Sequence, residues 1–375
     1  MKMTEEMTAY FRSINERFYR EKIECKGRIA VIGAGLPPEL IYCFDNSPLW
    51  ILSGTPTEAR ECDNIPKDAD DLSRSVFGLL RSDRINIEDL EAAVILIDDD
   101  NSRKLACELR EKCRVITVDM PAMYQSDDVN GYWQKSLYGL FEQLKKTVGI
   151  KRGSIRRAVG FMNRAREQVR RLVALSRKNP DLIEHGDIMV VVNSLYCCRN
   201  KDEWLEKLTA LNDSFSDMEE NTAVSSDPGV ILVGSPVFYP NHKVIRLFRE
   251  TNIRLLSCID PVMQIYFDKE MKKKKTDYSQ FYSIIKNSIG NITLSGYLET
   301  DYTINRLKDE IDATRPNGVI FHVIRGRKTE DADSVNYEKL CEKCGISYFK
   351  IETDYQENDI EQLRLRIEAF REILV

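Results

Sequence analysis

Histidine is scarce in this chain: His185, His242 and His322 are the three among 375 residues. That leaves little material for imidazole general bases or for His-rich metal sites. The sequence also has no Gly-x-x-x-x-Gly-Lys-Ser/Thr loop and no His-Glu-x-x-His pair, so P-loop hydrolysis and zincin chemistry lack their parts. Apolar runs are no longer than strands, as at 29–35 and 92–97, and Met1 to Lys22 is charged throughout. Neither an export leader nor a membrane span is expected. Positive charge is not in excess either, since 55 Lys and Arg stand against 60 Asp and Glu, a net of -5. A nucleic-acid partner is therefore not expected.

What the sequence has is ordinary globular composition, 42% hydrophobic and 31% charged, at a length that predicts two or three domains. Ten cysteines sit at irregular spacings, which argues for reduced thiols, or for metal and redox chemistry, in a cytoplasm. Short Val/Ile-rich runs alternate with helical periods, the pattern of an α/β fold with a mainly parallel sheet. Strands are predicted at 28–33, 49–53, 93–97 and 114–118, and again at 229–234, 253–257, 318–323 and 347–351. Between the halves, 140–211 reads as helical, with 188–195 ambiguous between strand and helix. The predicted organisation is a helical leader (1–24), a first α/β domain (25–139), a helical middle (140–226) and a second α/β domain (227–375).

The halves resemble each other. Arg28-Ile-Ala-Val-Ile-Gly-Ala-Gly is echoed by Val230-Ile-Leu-Val-Gly-Ser, and Ala92-Ala-Val-Ile-Leu-Ile-Asp by Asn317-Gly-Val-Ile-Phe-His-Val. Each later segment is followed by a helix ending near Cys113 or Cys344 and a strand ending near Asp119 or Asp354. Two similar flavodoxin- or Rossmann-like domains would leave a cleft between the carboxyl ends of their strands, where such folds bind ligands.

Several motifs have ordinary structural readings. Gly33-Ala-Gly35 follows a strand, but Pro38 occupies the third position of a dinucleotide fingerprint, and a Pro at a helix start explains the same residues. Cys341-Glu-Lys-Cys344 lacks a second ligand pair and marks a helix end capped by Gly345. Adjacent Cys197 and Cys198 point in different directions on a regular element, which disfavours joint ligation. His322 lies within a strand and reads as a hydrogen-bonded core histidine. The segment Lys151 to Lys178 is an amphipathic basic helix carrying Arg156, Arg157, Arg166, Arg170 and Arg177 among others. It reads first as a solvated face, and otherwise as a receiver of phosphates.

The second half resembles the smaller subunit, or D-component, of the 2-hydroxyacyl-CoA dehydratase and benzoyl-CoA reductase family. The resemblance rests on Gly229-Val-Ile-Leu-Val-Gly-Ser, on Asn317-Gly-Val-Ile-Phe, and on the ending from Lys350-Ile-Glu-Thr-Asp to Arg366-Ile-Glu-Ala-Phe. Pro38-Glu-Leu-Ile and Pro48 to Gly54 extend it over most of the chain. The resemblance implies two-subunit, oxygen-sensitive enzymes that act on acyl-CoA thioesters with a [4Fe–4S] cluster, held by three cysteines from three loops. Here those positions fall on Asp70, fixed by the matching Arg74 and Gly78, on Asp100, and on Arg327. Iron–sulfur clusters need thiolates, and a guanidinium has no lone pair to offer a metal.

The expectation is thus a cluster-less subunit or paralogue in which Asp70, Asp100 and Arg327, with Arg325 as a second candidate guanidinium, fill the vacated site as a charge-paired triad. Ordinary helix capping by Asp70, with Asp98 to Asp100 in solvent, explains these acids equally well. No cofactor is expected under that reading. The alternative is an active [4Fe–4S] dehydratase component using displaced cysteines, Cys62 and Cys107, or its partner's cluster. Gly33, Gly35, Arg156 and Arg157 are candidate phosphate or CoA contacts, and a stand-alone nucleotide-binding protein is a weaker third reading. The expected partners are a cluster-bearing subunit or a second copy of the chain, and an acyl-CoA.

Overall fold

Eight Val/Ile-rich runs form eight parallel strands in the computed structural model, which describes residues 5–44, 48–62, 69–120, 127–180, 182–216, 226–288 and 301–374. The first sheet contains β1 (Ile29–Ile32), β2 (Leu49–Ile51), β3 (Ala92–Ile97) and β4 (Val115–Asp119) in the order β2-β1-β3-β4. The second contains β5 (Gly229–Gly234), β6 (Arg254–Ile259), β7 (Gly318–Ile324) and β8 (Ser347–Thr353) in the order β6-β5-β7-β8. The two sheets have the same topology, so the repeat in the sequence is a repeat in the fold. Strands β1, β3 and β7 are buried at every residue, because helices cover both faces of a parallel sheet. All eight lie where the Val/Ile-rich runs predict them, with ends differing by at most two residues.

The leading α1 (Glu5–Arg20) packs on the helical layer that follows the first α/β unit, which also contains α2 (Pro38–Tyr42), α3 (Pro56–Arg60), α4 (Asp71–Arg81) and α5 (Asp100–Leu109). That layer comprises α6 (Asp127–Val148), α7 (Ser154–Lys178), α8 (His185–Cys197) and α9 (Lys201–Ser216). The second sheet carries α10 (Lys243–Glu250), α11 (Gln264–Phe267), α12 (Asp277–Ser288), α13 (Asp301–Thr314), α14 (Lys328–Cys344) and α15 (Ile360–Leu374). The ambiguous run 188–195 is helical, within α8. It looks like a strand because α8 is buried all round, and a helix enclosed on every side needs no polar face.

Local chemistry sets the turns. Pro38 opens α2 at a first helical position, where its missing N–H has no partner to lose. Gly345, at φ +67°, caps α14 after Cys344. Gly78 lets α4 lie against the end of α3, since a Cβ there would come within 2.2 Å of the Glu58 carbonyl oxygen. Arg74 reaches the same place, donating from Nε to the Ala59 carbonyl at 3.1 Å and from a terminal nitrogen to that of Cys62 at 3.3 Å. The matching Arg74 and Gly78 therefore have a packing role between α3 and α4.

The basic helix is a solvated face only in part: Arg152, Arg156, Arg157 and Arg164 are exposed, but one arginine is not. Arg166 of α7 is 1% exposed and lies between Glu39 of α2, at 2.7 Å, and Asp268 after α11, at 3.3 Å. Arg170 pairs with Glu270 at 2.9 Å and donates to the Asp268 carbonyl, while Arg177 pairs with Glu310 at 2.7 Å. One face of α7 thus draws the acids of both sheet domains toward the helical layer. Burial alone would favour loss of the Arg166 proton, but Glu39 and Asp268 outweigh it and raise its pKa above the ordinary value. A single apolar core runs from the first sheet through this layer to one face of the second sheet. A smaller cluster around Val319, Phe321 and Leu307 covers the other face.

Replacing Arg166 by Met keeps most of the volume but strands two buried carboxylates. Arg166→Met is expected to cost roughly 3–5 kcal/mol of unfolding free energy, read as a lower urea midpoint. Adding Glu39→Gln and Asp268→Asn should recover a substantial part of the loss.

Candidate functional site

In a sheet of order 2-1-3-4 the chain reverses direction between β1 and β3, and the crevice outside their carboxyl ends is the natural ligand position. A cavity of about 80 Å³ lies there, lined by Gly33 after β1, Leu52 after β2, Asp98 after β3, Ser73 of α4, Ser102 of α5 and Arg327. Gly33 takes φ +95°, and a Cβ on it would press on Leu96 at 3.2 Å. Arg327 follows β7, so the second domain supplies the cation that closes a crevice of the first.

Arg327 and Asp70 meet across that seam, with a guanidinium nitrogen 3.6 Å from Asp70 Oδ1. Asp70 is 4% exposed and also caps α4, accepting from the Ser73 N–H at 3.0 Å and from the Ser73 hydroxyl at 2.7 Å. Capping and ion pairing are therefore both present. Arg327 also pairs with buried Glu330, one helical turn further along α14. Burial alone would lower the pKa of Arg327, but Glu330, Asp70 and Asp98 together hold it well above the usual value. The guanidinium is permanently charged here.

Asp100 does not join this group: it is the exposed first residue of α5. Asp98 is the acid beside Arg327. Asp99 caps α5 by accepting from the Ser102 N–H at 2.7 Å, and that cap turns the next residue outward while the residue before it stays at the strand end. The Asp99-x-x-Ser102 spacing was the sequence signal for this register. Asp98 is exposed at the mouth of the cavity, as the capping reading with these acids in solvent expects, with protein crowded on its inner side. Burial, with Asp99 adding and Arg327 opposing, pushes its pKa up to about 6.

Tyr355 completes the seam. Its main-chain N–H donates to Asp71 Oδ2 at 2.8 Å, and its phenol pKa is raised by burial and then by Asp70. Neither Tyr355 nor Glu330 was singled out from the sequence, although Arg-x-x-Glu at the start of a helix is a recognisable pairing distance. Arg325 turns away, pairing with Glu352 at 3.2 Å and Asp354 at 2.8 Å on the surface. His322 is a satisfied core residue: Nδ1 lies 3.2 Å from the Ser235 carbonyl and Nε2 3.1 Å from the Thr353 hydroxyl, and burial pushes its pKa down to about 4.

The candidate phosphate contacts are not brought together. Gly33 lines the cavity closed by Arg327, and Gly35 lines a separate one of about 50 Å³ beside Glu39 and Arg166. Arg156 and Arg157 border neither cavity. Arg156 pairs with Asp277 at 3.2 Å, and Arg157 donates to the Ser154 hydroxyl at 2.9 Å. Those arginines sit on the first turn of α7 and not at the strand-end cavities that Gly33 and Gly35 line.

The residues at the cavity do not suit an iron–sulfur cluster. Its polar lining is hydroxyl, amide, carboxylate and guanidinium, and cysteine is not among it. Among the described residues no three His, Cys, Asp or Glu side chains are grouped as metal ligands would be. Cys62 is buried with Arg81 3.7 Å from its sulfur, and burial raises its thiol pKa, while Cys107 is exposed on α5.

A family profile described as 2-hydroxyglutaryl-CoA dehydratase, D-component, matches residues 34–374, nearly the whole of the two-sheet structure. The chain belongs to that dehydratase-component family. It is 21% identical over 321 residues to YjiM of Escherichia coli (strain K12), which is named as a dehydratase subunit, covering 83% of this chain and 82% of that protein. It is 24% identical over 250 residues to the (R)-phenyllactyl-CoA dehydratase beta subunit of Clostridium sporogenes, covering 64% of this chain and 63% of that subunit. No helix among the described residues is long and apolar enough to cross a membrane.

Asp98 supplies a test of the cavity's electrostatics. Its folded pKa of about 6 lies above the ordinary carboxylate value, so the folded state holds its proton more tightly than the unfolded chain, and stability from this group falls as pH rises from about 4 to 6. Asp98→Asn should therefore raise the melting temperature relative to the parent above pH 6, with the difference closing below pH 4. The opposite pH trend would mean that Asp98 is stabilised as an anion by Arg327.

Proposed function

We propose that this dehydratase-family chain is a cluster-less component, built to stand beside a cysteine-bearing partner subunit and contributing a domain pair and an acyl-CoA-facing surface to it. The observation that carries this reading is Arg327 at the switch-point crevice, ion-paired with Asp70 and closing the cavity that Asp98 lines. A fixed cation with acids around it satisfies the crevice without a metal, and it opposes binding of any metal cation there. The relatives support the partnership, since both are named as subunits of dehydratases.

In this role the chain's own residues do structural and electrostatic work. Asp70 starts α4, Arg327 starts α14, and their pairing holds the two carboxyl-edge surfaces at a fixed separation. The radical chemistry implied by the family resemblance would belong to the partner's cluster, and no step is assigned to residues of this chain.

The test is iron and acid-labile sulfide content of the chain expressed and purified without oxygen, alone and together with a cysteine-complete family subunit. The expected result is neither element in the isolated chain, with both recovered in a stable mixed complex. About four irons per isolated chain, the content of one [4Fe–4S] cluster, would overturn the reading and return Cys62 and Cys107 to consideration. Failure to associate with any family subunit would remove the partnership.

A further inference from the structure

A large cavity lies at the opposite end of the second sheet from Arg327. It is a groove of about 890 Å³ between the start of α8 and the amino-terminal edge of the strands, where β6 begins at Arg254 and β7 follows Asn317. Ile183, Ile245, Phe248 and Ile253 give it an apolar wall, and Arg177, Arg249, Arg254 and Arg315 a basic one. Its volume is in the range that accepts a cofactor-sized molecule.

The charges on that wall do not cancel. Arg249 is matched by Glu184 at 2.6 Å and Asp187 at 3.0 Å, and Arg177 by Glu310 at 2.7 Å. Arg254 meets a main-chain carbonyl, that of Asp227, at 2.9 Å, and the side chain of Arg315 has no partner among the described residues. The acid of Asp227 faces Arg371 at 3.8 Å. Two guanidinium groups are left to answer a doubly charged anion. Arg315 also takes φ +48° at the end of α13, a position where glycine is the usual residue. An arginine stands there against local conformational preference.

His185, the first residue of the 13-residue helix α8, gives an independent pointer. Its Nε2 accepts from the Cys258 N–H at 3.2 Å, which assigns the ring proton to Nδ1. Nδ1 is buried with no hydrogen-bond partner among the described residues, and the residue, 2% exposed, lines the groove. Burial, with Arg177 adding, pushes its pKa down to about 3, so the ring is a neutral donor in need of an acceptor. The amino end of α8 adds the partial positive charge of its peptide dipoles in the same place.

We infer that this groove binds the phosphate of a nucleotide-sized ligand, with Arg254 and Arg315 holding the anion, the unpartnered His185 lining the site beside it, and the apolar wall receiving the ligand's base or body. The site is separate from the crevice closed by Arg327 and does not depend on whether a cluster is present.

The full chain should be titrated calorimetrically with ADP and with inorganic phosphate. Saturable ADP binding, tighter than that of phosphate and weakened by salt, is expected. The double variant Arg254→Gln/Arg315→Gln should weaken it roughly tenfold or more, as loss of charge-assisted hydrogen bonds requires. Arg315→Gly gives a second readout: it should raise the melting temperature by relieving the backbone while lowering ADP affinity, a split that a purely structural arginine would not produce. Absence of saturable binding, equal affinity for both probes, or insensitivity to the double variant would overturn the proposal. Loss of ADP binding in Arg327→Gln with Arg254→Gln/Arg315→Gln unaffected would also overturn it, by moving the ligand to the other crevice.

Discussion

The arrangement of this molecule depends on one buried cation. Arg166 sits on α7 with Glu39 from the first α/β unit on one side and Asp268 from the second on the other, all three almost fully removed from water. Such a group is a poor source of net stability compared with apolar packing, because three desolvated charges must first lose their hydration. Its value is positional. A charge in a low-dielectric interior is strongly penalised when a partner is displaced, so the trio admits one relative setting of the two sheets where Leu and Ile side chains would tolerate several.

That setting is what allows residues 257 positions apart, Asp70 and Arg327, to meet. Each reaches the seam from the first turn of a helix just beyond a strand-end crevice, and each would be solvent-facing in an isolated domain. The seam is further held by the Tyr355 N–H on Asp71 and by Asn241, whose amide donates to the Gly54 carbonyl at 3.0 Å. The crevice between β1 and β3 is consequently roofed by the second domain, and its chemistry is decided by what that roof carries. Here the roof carries a guanidinium that three acids keep charged.

Much of the fold was legible in the sequence. A parallel strand covered on both faces must be continuously apolar, so 29–32, 92–97 and 318–324 announce themselves. The repeat was legible for the same reason. The helix α8 was ambiguous because burial on all sides erases the polar face from which helical period is read. Arg166 was read as solvated for a related reason, since basic residues surround it on α7. Yet it falls four residues after Met162, three before Val169 and seven before Val173, within the apolar stripe, and that register was the available signal. Likewise Asp98 was passed over for Asp100 because three consecutive aspartates are alike as letters, and the helix cap at Asp99 is what separates them.

The sequence by itself determined the elements: where strands run, where prolines and glycines end them, the doubled α/β topology, and the likeness to a dehydratase component. These follow from local rules of burial and backbone conformation that act over a few residues. Only the tertiary structure decided which charges meet. Whether Arg166, Arg327 or Arg254 is a surface cation, a buried pin or a ligand contact depends on acids drawn from distant segments. Electrostatic energy inside a protein is set by distance and by exclusion of water, and neither is written in the order of residues.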